Sequence, residues 1–233
     1  TYAAMIEIMD DGVGQIVEAF REKGNLENTV FLFLSDNGAT LEGGYLGQLM
    51  ADLSNTPYRS YKKWVYQGGT STPFIMTFGN TGKNVLKGQV CKQVAHIIDL
   101  LPTCMDLASA SYPSDRFDHA DLPGTSLLPA VRGGALQNRT LFFEHQSSCA
   151  VIADNWKLVR NDLNSPWELI NLSTDPFETK DLSTRYPEKT RELEQMWDHW
   201  AKTHRVLPLE NKSWTERINY YKELNPDQSG REE

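Results

Sequence analysis

Asp36, Asn37 and Gly38 stand directly after Val30-Phe31-Leu32-Phe33-Leu34-Ser35, a run dominated by β-branched, aromatic and aliphatic side chains. Such a run marks a buried strand, so a carboxylate and an amide oxygen lie where that strand stops. Ligands of open α/β sheets collect in the crevice outside the carboxyl ends of the strands. Two hard oxygens there suit Ca²⁺ or Mg²⁺. The same residues also suit a plain turn, because Asn-Gly is a strong turn former. A second chemically capable group follows, with Arg59, Lys62 and Lys63 shortly before Gly68-Gly69. The chain carries 23 Lys plus Arg against 31 Asp plus Glu, a net charge of −8, so this cluster is where a pocket for an anion is to be sought. The acidic balance argues against nucleic acid or an anionic membrane surface as the main partner. No apolar run approaches the ~18 residues of a membrane span.

With their surroundings these residues resemble the sulfatase family, in its arylsulfatase-like, formylglycine-dependent form. The stations come in family order: Tyr2-Ala3 to Met9-Asp10, the Asp36-Asn37-Gly38 strand end, Gly68-Gly69 followed by Ser71-Thr72-Pro73, and Asp99-Leu100-Leu101-Pro102-Thr103. Gly124-Thr125-Ser126-Leu127, Phe143-Glu144-His145, Trp156-Lys157-Leu158-Val159 and Trp167-Glu168-Leu169 to Asp175-Pro176-Phe177-Glu178 complete them. The resemblance implies that Asp36 and Asn37 bind a divalent metal, Ca²⁺ or else Mg²⁺. It implies that a lysine six residues before the Gly-Gly pair reaches the sulfate, which lands on Lys62, with Lys63 one position away. His145 matches a position that faces the substrate pocket. Gln67 stands where the commoner motif has Glu, and Ser71 where it has Arg.

No Cys or Ser here opens a Cys/Ser-x-Pro-x-Arg sequence, and the family's early paired aspartates have no counterpart. The resemblance is therefore to the C-terminal half of a sulfatase, with the formylglycine expected in a missing N-terminal half that would be this chain's partner. The expected activity is sulfuric ester hydrolysis on sulfate esters, among them sulfated saccharides, and the chain alone is expected to be inactive. A phosphoric ester or phosphonate hydrolase of the same superfamily is the nearest alternative. A non-catalytic carbohydrate-binding or interaction module is the other. The family resemblance implies a periplasmic or secreted location, and no targeting segment is present in these residues. Tyr45, Tyr58, Tyr61, Trp64 and Tyr66 are candidates for stacking on a sugar or aryl group.

These side chains need an α/β frame. Met5, Met9, Val13, Ile16 and Phe20 recur at helical steps and predict a helix over residues 2–23, closed by Gly24 at C′. That helix feeds the Val30–Leu34 strand, and residues 73–78 form a second strand. Residues 39–72 show no clear period and read as an irregular segment lining a site. A helix from about Ala95 or Asp99 should turn Ile97, Ile98, Leu101 and Met105 inward. Short strands at 140–144, 150–153, 157–160 and 168–171 predict an antiparallel meander, and residues 183–203 a helix with Leu193, Met196, Trp197 and Trp200 buried. The division is residues 1–135 as the C-terminal part of an alkaline-phosphatase-like α/β domain with a parallel-rich sheet, and 136–233 as a small antiparallel sheet plus helix. Cys91, Cys104 and Cys149 fit no zinc or CxxC pattern and read as buried free thiols.

Overall fold

The computed structural model describes residues 2–42, 47–79, 85–111, 123–207 and 214–224. Its elements in chain order are α1 (Tyr2–Glu22), β1 (Val30–Leu34), α2 (Gly47–Asn55), α3 (Gln67–Thr70), β2 (Phe74–Phe78), α4 (Leu100–Leu107) and α5 (Leu128–Val131). Then come β3 (Thr140–His145), β4 (Ser148–Ala153), β5 (Trp156–Arg160), β6 (Glu168–Asn171), α6 (Pro187–Thr203) and α7 (Trp214–Leu224). The chain folds as two compact units. One holds Thr1–Asp36 and Pro73–Gln137; the other holds Asn37–Thr72 and Asn138–Glu233. The excursion between β1 and β2 is grouped with the second unit.

In the first unit β1 and β2 pair antiparallel, Leu32 opposite Met76, where the sequence suggested a parallel-rich arrangement. The cause is the return path. The chain leaves β1 at Ser35 and re-enters at Pro73, where Ser35 N donates to Pro73 O at 3.2 Å, so β2 starts beside the end of β1. α1 ends at Gly24, whose φ of +70° suits the left-handed C′ position. Its apolar stripe forms as expected, but none of its residues is buried. Phe20 meets Phe31 edge-on, with ring centroids 5.6 Å apart.

Before α4 a 3₁₀ turn spans Ile97–Asp99. Of the expected apolar lining, Ile98 and Met105 are half-buried but Ile97 and Leu101 are exposed, and the fully buried residues are instead Asp99 and Thr103. Hydrogen bonding explains the exchange. Asp99 accepts from His96 N at 2.7 Å and Thr125 N at 2.9 Å, and Thr103 Oγ1 accepts from Leu127 N at 2.9 Å. Gly124 is required at this junction, since a Cβ there would lie 2.0 Å from Ile98 O. The Asp-Leu-Leu-Pro-Thr and Gly-Thr-Ser-Leu segments are thus two halves of one hydrogen-bonded seam.

In the second unit β3, β4, β5 and β6 form an antiparallel meander in that order. Alternation across the pleat gives the sheet two apolar faces. Cys149, Val151, Leu158 and Leu169 face Leu193, Trp197 and Ala201 of α6, while Ala150, Val159 and Ile170 pack with Val65 and Tyr66 of the excursion. Trp197 is fully buried and its indole N–H donates to Phe143 O at 3.1 Å. Of the three thiols, all free, only Cys149 is buried; Cys91 and Cys104 are exposed.

Candidate active site

Three glycines bring the chemically capable segments of the second unit together. Gly38 N donates to Gly69 O at 3.1 Å, Gly68 N to Arg59 O at 2.8 Å, and Lys62 N to Ala39 O at 2.8 Å. Main chain lies on main chain throughout. A Cβ on Gly38 would sit 1.8 Å from Gly68 O, on Gly68 1.9 Å from Ser60 O, and on Gly69 1.9 Å from Trp64 O. The Asp-Asn-Gly and Gly-Gly signatures therefore belong to one packed joint, which also fixes the backbone of Lys62. Asn55, at the end of α2, braces it: its Oδ1 accepts from Ala39 N at 3.1 Å and its Nδ2 donates to Ser60 O at 3.0 Å. Nothing in the sequence singled out Asn55. Backbone neighbours cannot give way to a methyl group as a side chain can, so Gly68→Ala should lose at least about 3 kcal/mol. Urea unfolding of the chain followed by tryptophan fluorescence checks this, and a loss below ~1 kcal/mol would contradict the packing.

The joint rests on a buried ion pair. Lys157 shares the face of β5 that carries Val159, and its Nζ lies 2.7 Å from Glu178 Oε1 with both side chains inaccessible. That approach is ionic contact, for Glu178 Oε1 has no well-angled hydrogen bond. The other oxygen accepts from Gln67 N at 2.6 Å. Burial pushes the Lys157 ammonium down from its ordinary value, and the charge of Glu178 opposes this without cancelling it. Gln67 Oε1 stands 3.5 Å from the same Nζ. The lysine beside the unusual Gln67 is thus Lys157, and its carboxylate partner comes from the Asp-Pro-Phe-Glu segment.

The basic cluster divides by role. Arg59 forks onto Glu168 at 2.6 and 3.2 Å and lies 4.0 Å over the Tyr66 ring, so it braces the sheet instead of offering a free charge. Burial works against its charge, but the Glu168 hydrogen bond and the charges of Tyr66, Glu168 and Glu178 together outweigh that and raise its pKa. Tyr66 also donates to Glu168, and burial followed by that carboxylate pushes its phenol well up. Lys63, at φ +93°, lays its ammonium 4.6 Å over Trp64. Lys62 reaches 2.7 Å from Glu42 Oε2. The two lysines therefore point to different surroundings. Tyr61 and Tyr66 are core residues and not sugar platforms, Tyr58 packs on Phe177 at 5.7 Å, and Tyr45 lies outside the described residues.

His145 is exposed at the end of β3, and its charge acts on Glu42 in the Lys62 pair. The turn beyond it has Gln146 at φ +49° and Ser147 at φ +68°, the left-handed pair a two-residue hairpin requires. Glu144 serves that turn by accepting from Ser147 N at 2.8 Å. Ser148 Oγ accepts from Val65 N at 3.2 Å, tying the hairpin to the Lys62 segment.

Asp36 follows β1 in the first unit, exposed and with no hydrogen-bond or ion-pair partner among the described residues. Asn37 is half-buried, and its amide nitrogen, not its oxygen, donates to Gly38 O at 3.0 Å. Among the described residues no group of three His, Cys, Asp or Glu side chains could hold a metal. Asp36 and Asn37 fit a hard divalent cation in kind, but two oxygens fall short of the six to eight Ca²⁺ takes.

The Sulfatase family profile matches residues 1–110, and the profile described as N-sulphoglucosamine sulphohydrolase, C-terminal, matches residues 58–205. The chain belongs to the sulfatase family and corresponds to its C-terminal portion. An uncharacterised sulfatase of Schizosaccharomyces pombe is 26% identical over 84% of this chain and 42% of its own length. The N-acetylgalactosamine-6-sulfatase of Mus musculus is 31% identical over 75% of this chain and 32% of its own. The crystal structure of Ps i-CgsB shares the fold, with a TM-score of 0.73 at 24% identity over 99% of this chain and 48% of that one. The chain therefore spans less than half the length of each of these relatives.

Proposed function

We propose that this chain is part of a metal-dependent sulfuric ester hydrolase acting on sulfated saccharides. The observation that carries the reading is the joint of Gly38, Gly68 and Gly69, which ties the backbone of Lys62 to the segment just after Asn37. Asp36 and Asn37 supply two ligands to a divalent cation, Ca²⁺ by the hardness of the donors. That cation would neutralise negative charge on the ester oxygens. Lys62 pairs with a sulfate oxygen, and His145 borders the ester. The remaining ligands and a formylglycine nucleophile come from elsewhere in the polypeptide. The choice of saccharide rests on relatives such as the N-acetylgalactosamine-6-sulfatase.

The test uses the full-length protein with 4-nitrophenyl sulfate and sulfated saccharides. Asp36→Ala and Asn37→Ala should each lower both Ca²⁺ retention after dialysis and sulfate release by at least about a hundredfold, since even groups that only support metal ligands cost 10–100-fold. Full metal content and full activity in both variants would overturn the assignment. Phosphonate hydrolysis without sulfate hydrolysis would favour the other branch of the superfamily.

A further inference from the structure

The Lys62 ammonium already faces a carboxylate. Glu42 Oε2 lies 2.7 Å from Nζ, with the lysine side chain 38% and the glutamate 69% exposed. Their anchoring is unequal. The lysine's main chain is held to Ala39, whereas among the described residues Glu42 is fastened locally by Thr40 alone, which accepts from Glu42 N at 3.0 Å and hydrogen-bonds its exposed carboxylate. The hydrogen bond and charge of Lys62, with smaller contributions from a Thr40 hydrogen bond and then His145, hold the Glu42 carboxyl below the usual carboxylate range.

An anion that pairs with Lys62 must displace Glu42 or share the ammonium with it. A sulfate monoester and a phosphate monoester are both tetrahedral and of similar size, so shape separates them poorly. They differ in charge: one for the sulfate ester at neutral pH, and nearly two for the phosphate ester above its second pKa near ~6. A like charge built beside a site is an effective way to reject one of two similar ligands.

Resting on the sulfate-ester reading above, we propose that Glu42 is a specificity-determining residue that selects singly charged esters over doubly charged ones at Lys62. At ~5 Å in a water-like dielectric, one additional negative charge facing a carboxylate is disfavoured roughly fourfold, and more where water is excluded.

The test compares three 4-nitrophenyl esters on the full-length protein and on its Glu42→Gln and Glu42→Lys variants: sulfate and phenylphosphonate, each singly charged, and phosphate. In Glu42→Gln the kcat/KM for phosphate should rise at least about fourfold relative to both others, and further in Glu42→Lys. The gain should shrink as pH falls below ~6, where the phosphate ester sheds its second charge. Phosphonate rising together with phosphate would show that the residue sorts by phosphorus and not by charge, and would overturn the proposal. Sulfate hydrolysis with unchanged ratios overturns the charge filter and leaves the sulfatase reading standing. A parent protein that cleaves no sulfate ester overturns both.

Discussion

Lys62→Ala in the full-length protein is expected to lower kcat/KM for a sulfate ester by about 10²–10³-fold, the usual cost of deleting one preorganised group aimed at developing charge. Lys63→Ala should change it by less than about fivefold, because an exposed cation over a ring contributes ~1 kcal/mol or less. The contrast follows from the backbone. Lys62 N is bound to Ala39 O, whereas Lys63 sits at φ +93° with its ammonium over Trp64. Removing Lys62 also frees the Glu42 carboxylate, so Glu42→Gln added to Lys62→Ala should recover part of the loss in KM. Equal and small effects of both lysine changes, with folding intact, would remove Lys62 from the site. A reversed order would move the role to Lys63.

Lys157→Met should destabilise the chain by about 3–5 kcal/mol, the cost of leaving a buried charge without its partner. Glu178 would remain inaccessible, with one oxygen still held by Gln67 N. Adding Glu178→Gln should restore most of the loss, since a neutral amide can still accept from Gln67 N. All six tryptophans lie at sequence positions of the second unit, so their fluorescence in urea reports on the right structure. A single variant as stable as the parent would mean that water reaches the pair. A double variant no better than the single would mean that packing, and not charge, sets the cost.

The meander and its helix were readable because period and structure coincide. The expected strand at residues 168–171 is the observed one, and the other three differ by one to two residues at an end. The glycines were readable as motifs, because a backbone seated against another backbone leaves no room for a Cβ. α2 was not readable. Its Leu49 and Leu53 are exposed and only Ala51 is buried, so no apolar stripe announced it. Ile97 and Leu101 misled for the converse reason: Asp99 and Thr103 satisfy buried amides across the seam, and an apolar side chain cannot.

By itself the sequence determined the family, the order of the stations and the residue types that could hold a cation and an anion, since each depends on short spacings along the chain. The tertiary structure alone decided which basic residue is committed to what. Arg59 is taken up by Glu168, Lys63 by Trp64, Lys157 by Glu178 and Lys62 by Glu42. The three carboxylate partners lie from about twenty to more than a hundred positions away, and such a charge is satisfied by whatever the fold brings within about 3 Å, which no local pattern encodes.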